Sequence, residues 1–113
     1  MKGPLAHQMA VASAQEAVDN AVQEYGEDNA AFLYCGFAWA IIRPARGAFI
    51  NEMKRAGIGS KSEYGGYRIS NYAMFNLPPG LSQSMELKEI GARAYCKALG
   101  EYGINATMSS RAD

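Results

Sequence analysis

Two arginines stand three residues apart in the stretch "IIRPARGAF" (41–49), with Pro44 between them and a helix expected to follow. A cation at a helix N-terminus lies against the macrodipole, at a cost of roughly 0.3–1 kcal/mol when exposed. An anion would reverse that sign: free N–H groups in the first turn together with the Arg43 and Arg46 guanidiniums would hold a phosphate, which the planar guanidinium fork fits better than an ammonium does. The competing account is an ion pair of either arginine with the acidic first helix, for instance with Glu24 or Glu27, and structural pairing is the commoner use of such residues.

A second cluster follows in "SEYGGYRISNYAMFN" (62–76), where Tyr64, Tyr67, Tyr72 and Phe75 alternate with Arg68, Asn71 and Asn76. Aromatic faces stack on bases, guanidinium supplies charge, and amides read base edges, so the composition suits a nucleobase pocket. Core packing of Tyr67 and Phe75, with Gly65 and Gly66 only turning the chain, is the alternative. Tyr64 and Tyr72 lie in polar stretches with no apolar stripe to join. In the tail "SSRAD", Arg111 follows a strand pattern and could close over a ligand. The ligand-binding set is thus Arg43, Arg46, Tyr64, Tyr67, Arg68, Asn71, Tyr72 and Arg111.

Other chemistries find little footing. His7 is the single histidine and lies near the start, so no Cys-His or Ser-His pair and no zinc site is expected. "GIGSKS" (57–62) follows a helix rather than opening one and does not read as a phosphate loop. No buried acid pair can be proposed from spacing. A binding protein without cofactor or metal, and not an enzyme, is expected.

The elements that must carry these residues follow from periodicity. Residues 8–25 place Val11, Ala14, Val18, Ala21, Val22 and Tyr25 at helical spacing, with Gly26 as a stop. Residues 32–42 read as a central strand with Leu33, Cys35, Phe37, Trp39 and Ile41 on one face and small residues on the other, where a helix can pack closely. Pro44 fits the first position of a second helix, closed by Gly57 with Ile58 folding back onto Met53. A short strand places Tyr67 and Ile69 inward, and a third helix over about residues 82–102 ends on Gly103 and Ile104 as the second does on Gly57 and Ile58. The last strand turns Ile104, Ala106 and Met108 inward and Asn105, Thr107 and Ser109 outward. The predicted class is α+β in the order α-β-α-β-α-β: a small sheet of about three strands, some pairing parallel, with helices mainly on one face.

With 113 residues, 49% apolar and 19% charged, the chain suits a single domain over 1–113, with 1–7 and 112–113 flexible. The formal charge is zero but unevenly laid out: Lys2 faces five acids over residues 1–42, whereas six cations face Glu52 and Glu63 over 43–68. A neutral total argues against duplex nucleic acid as partner, while a small anion needs only two or three cations. Cys35 and Cys96 read as reduced core residues of a cytoplasmic protein. No transmembrane segment or signal peptide is expected, and exposed sheet edges favour a homo-oligomer.

The runs "YCGFAWAIIRPARGAFINEMKRAGIGSKSEYGGYRISN" (34–71) and "QSMELKEIGARAYCKALGEYGINATMSSRAD" (83–113) resemble a family of small tailed-phage proteins. The shared elements are "GFAW" (36–39), "PARG" (44–47), "YGGY" (64–67) and Ser110, Arg111 and Asp113. The resemblance implies a viral context and carries over no catalytic residues. The expected function is that of a phage accessory protein that sequesters a small phosphorylated nucleotide, such as a cyclic nucleotide or ADP-ribose-type signal of anti-phage immunity. The alternatives are a module that inhibits a host enzyme through residues 72–77, and a single-strand nucleic-acid binder.

Overall fold

Helix α1 (Leu5–Tyr25) turns Ala10, Ala14, Val18 and Ala21 to the interior, and small side chains at this spacing let it lie close along a second helix, α3 (Met85–Glu101). The computed structural model describes residues 2–26 and 28–113. Between these helices come β1 (Gly36–Ile42), α2 (Ala48–Arg55), β2 (Ser60–Lys61) and β3 (Tyr67–Ser70), and β4 (Ala106–Ala112) closes the chain. Three short 3₁₀ turns, Ala30–Leu33, Asn71–Ala73 and Pro79–Leu81, link them.

The class is α+β, with a four-stranded sheet ordered β2-β3-β1-β4. All three pairings are antiparallel, which corrects the expected parallel pairing and the count of three strands. The cause is the hairpin hidden in "GSKSEYGG": β2 is two residues long and reverses the chain, so β3 returns beside β1 in the opposite sense. From β1 onward the connectivity is that of the split βαβ, ferredoxin-like arrangement, to which the chain adds α1.

Both glycine-isoleucine helix ends form as expected. The Ile58 N–H donates to the Met53 carbonyl at 2.9 Å and the Ile104 N–H to the Leu99 carbonyl at 3.1 Å, the long bond of a Schellman motif, with Gly57 and Gly103 at φ of +73° and +77°. The start of α3 is held by Ser84, whose hydroxyl accepts from the Leu87 N–H at 3.2 Å. Other boundaries move. Residues 32 and 33, expected as the start of the strand, lie in the 3₁₀ turn Ala30–Leu33, and Cys35, expected in the core, is exposed while Cys96 is buried. Helix α2 begins at Ala48 and not at Pro44, because Gly47 at φ +109° breaks the helical path just before it.

The core fills the space between β1, β3 and the helices. Ala38, Ala40 and Ile42 of β1 face it, with Ile69, Ile50, Met53, Val18 and Leu99. Gly91 on α3 admits the Phe75 ring, which a Cβ there would meet at 2.4 Å. Two expected flexible ends are partly structured: α1 starts at Leu5, and Ala112 pairs with Gly36.

His7 is buried against Tyr95, its Nδ1 2.7 Å from the phenol oxygen and the rings edge to face. Burial lowers the imidazole pKa below its ordinary 6.5. The unfolded chain therefore binds the proton more readily, so stability is complete above pH 6.5 and falls as the pH drops, by at most about 1.4 kcal/mol per pH unit. Carboxylates titrate lower, and His7 is the single histidine. Denaturant unfolding between pH 7 and 5 is expected to show this loss in the native chain and a flat profile in His7→Gln; equal slopes would rule His7 out as its source.

Candidate functional site

Residues opposite one another in a sheet share a face, and the register assigns the face that points away from the helices. Phe37 stands opposite Arg111, Trp39 opposite both Ser109 and Ser70, and Ile41 opposite both Arg68 and Thr107. Among the described residues no helix covers this side. It holds a depression of about 420 Å³ floored by Phe37, Trp39 and Ile41 and rimmed by Arg43, Arg68, Arg111, Tyr64, Ser62 and Ser109, with Gly65 at its edge and no carboxylate in the lining.

The cations are organised by the aromatic floor. The Arg68 guanidinium lies 4.4 Å over the Trp39 ring, and that of Arg111 lies 5.8 Å from the Phe37 ring. Such contacts hold a long side chain over a ring face without using its N–H donors. A third charge approaches Phe37: the Lys88 ammonium, 5.1 Å from the ring. Lys88 is 0% exposed and donates to the Gly36 carbonyl at 2.8 Å. Burial lowers its pKa, a tendency opposed by Cys35 and Asp113 nearby.

Tyr64 is carried by the tight turn between β2 and β3. The Ser62 N–H donates to the Gly66 carbonyl at 2.9 Å, and the Ser62 hydroxyl accepts from the Tyr64 N–H at 3.2 Å. Gly66, at φ +82°, presses on Ile41 and on the Arg43 side chain so closely that a Cβ would meet them at 2.6 and 3.1 Å. The turn thereby sits against the strand end and leaves Tyr64 87% exposed at the edge of the depression.

Of the eight residues expected from sequence, Arg43, Tyr64, Arg68 and Arg111 come together here. The other four do not. Arg46 lines a separate depression of about 300 Å³ at the start of α2, with Pro44, Phe49 and Asn105, which Arg43 also borders. Tyr67 is 1% exposed; its ring belongs to the core and its hydroxyl donates to the Ile58 carbonyl at 2.5 Å, so it has no face to offer a ligand. Asn71 is buried, its carbonyl capping the turn by accepting from the Met74 and Phe75 N–H groups. Tyr72 is 74% exposed, but beside a third depression with Phe75 and Asn76.

Arg43 lines the depression on the open face, where no carboxylate stands beside it among the described residues; Glu27 lies outside them. Phe37, Trp39, Ile41, Ser62, Gly65 and Ser109 are the lining residues that sequence reasoning missed as site residues. The alternation of β1 had placed Phe37 and Trp39 on one face, and that was the available signal. No family model, curated protein or solved structure matches the chain. No helix is long and apolar enough to cross a membrane among the described residues.

Proposed function

We propose that the protein binds a phosphorylated nucleotide on the open face of its sheet and holds it without transforming it. The carrying observation is the register, which sets Arg68 and Arg111 beside Trp39 and Phe37 on a face that, among the described residues, no helix covers and no carboxylate lines. Guanidiniums stacked on rings keep their N–H edges for phosphate oxygens, while the rings and Tyr64 offer faces to a base. Ser62 and Ser109 add hydroxyls that donate or accept. In a phage accessory role, the same face would sequester a nucleotide signal.

Trp39 is the single tryptophan and lies on the floor of the depression, so its fluorescence reports directly on occupancy. Titration with ADP, ADP-ribose and cyclic dinucleotides is expected to give a saturable change with at least one of them, and native mass spectrometry to give the matching mass increment. A flat titration with all of them, and with short oligonucleotides, would overturn the reading.

A further inference from the structure

The spacing of the cations separates one phosphate from a row of them. A lone phosphate is held by cations that converge on a point. Here the Arg111 guanidinium lies at Phe37 and that of Arg68 over Trp39, and Arg43 follows four residues past Trp39. At about 3.4 Å per residue these levels spread over roughly 20 Å along β1. The aromatic groups are spaced along the same line. Phe37 and Trp39 are two residues apart on one face, roughly 7 Å, about twice the 3.4 Å step of stacked bases in a duplex strand. An unstacked single strand can meet that spacing by extending, and a paired duplex cannot expose its bases to it.

We infer that the face takes a single-stranded oligonucleotide segment of two to three nucleotides, laid along β1. One base stacks at Phe37 and the next at the Arg68–Trp39 pair, and the arginines hold successive phosphates. Open four-stranded sheets bind single-stranded RNA through aromatic residues in this manner, and a guanidinium plane serves as a stacking surface as a ring does. Charge complementarity selects this occupant: the rim carries three cations and no anion. The inference rests on the nucleotide reading above and narrows its ligand.

The test is a Trp39 fluorescence titration of the full chain with 5′-phosphorylated oligouridylates and oligothymidylates of one, two, three, five and eight nucleotides, with a cyclic dinucleotide alongside. Affinity is expected to rise at least tenfold from one to three nucleotides and to change less than about threefold from three to eight. The log–log salt slope for the trinucleotide should be about −1.4 to −2, that of two to three phosphate contacts. Phe37→Leu, which keeps an apolar side chain, should weaken the trinucleotide at least fivefold, with an unchanged thermal melt. Equal affinity for the mononucleotide or cyclic dinucleotide and the trinucleotide would overturn the strand while leaving the nucleotide reading intact. A rise continuing to eight nucleotides would overturn the two-to-three limit, and no response to any probe would overturn both.

Discussion

Replacing Arg68 and Arg111 together by alanine is expected to weaken nucleotide binding by about 100-fold or more while lowering stability by only about 1–2 kcal/mol. A hydrogen bond to a charged group contributes about 1.5–3 kcal/mol, and 1.4 kcal/mol is tenfold in affinity, so two lost phosphate contacts reach that figure at the low end of the range. Stability changes little because both side chains are exposed and the stacking of each on its ring is worth about 0.5–1 kcal/mol. Arg46→Ala is the internal control: it removes a cation of the same sequence cluster from a separate depression and should change affinity less than twofold. Isothermal titration with the ligand found by Trp39 fluorescence measures all three proteins. Native-like affinity in the double variant would remove the open face from consideration, and a large loss in Arg46→Ala would move the site to the start of α2.

The two tyrosines of the "YGGY" turn are expected to part company. Tyr67→Leu should cost about 3 kcal/mol of stability, through the cavity beneath the ring and the buried Ile58 carbonyl left without its donor, yet leave the folded protein's affinity within twofold. Tyr64→Ala should do the reverse: stability within about 0.5 kcal/mol, because the side chain is exposed, and affinity lower by roughly fivefold or more if its ring stacks on the base. Urea denaturation and ligand titration on the same preparations separate the two. A stability loss in Tyr64→Ala, or an affinity loss in Tyr67→Leu, would contradict the placement of these rings.

That contrast shows what one chain's sequence carries and what it leaves open. Period-two alternation told which residues of β1 share a face, and the positive-φ requirement of a Schellman end made Gly57–Ile58 and Gly103–Ile104 legible, since both are settled within a few residues. The pairing of Trp39 with Arg68, or of Phe37 with Arg111, is set by strand register across tens of residues, and no local pattern encodes it. The β2 strand was invisible because two residues have no period. Arg46 looked equivalent to Arg43 because they are three residues apart, but the irregular backbone between β1 and α2, closed by Gly47, leaves Arg46 at the depression beside α2, while Arg43 borders that one and the open face. The open face itself was hidden by its own aromatics: large apolar residues in a strand read as core, and the covering layer that would have made them core lies only on the other side.

Lys88 gives the face a property that surface arginines alone would not confer. Counterions gather around exposed guanidiniums and screen them, whereas a fully buried ammonium acts through protein, where ions cannot approach. On the nucleotide reading, part of the attraction for an anion over Phe37 would therefore persist at ionic strengths that mute the rim. The same charge is also the one that can be switched off: with its proton affinity reduced by burial, Lys88 discharges at a lower pH than an exposed lysine, while the arginines keep theirs. On the nucleotide reading, an anion bound over Phe37 and the proton on Lys88 would reinforce one another, and alkali would release them together.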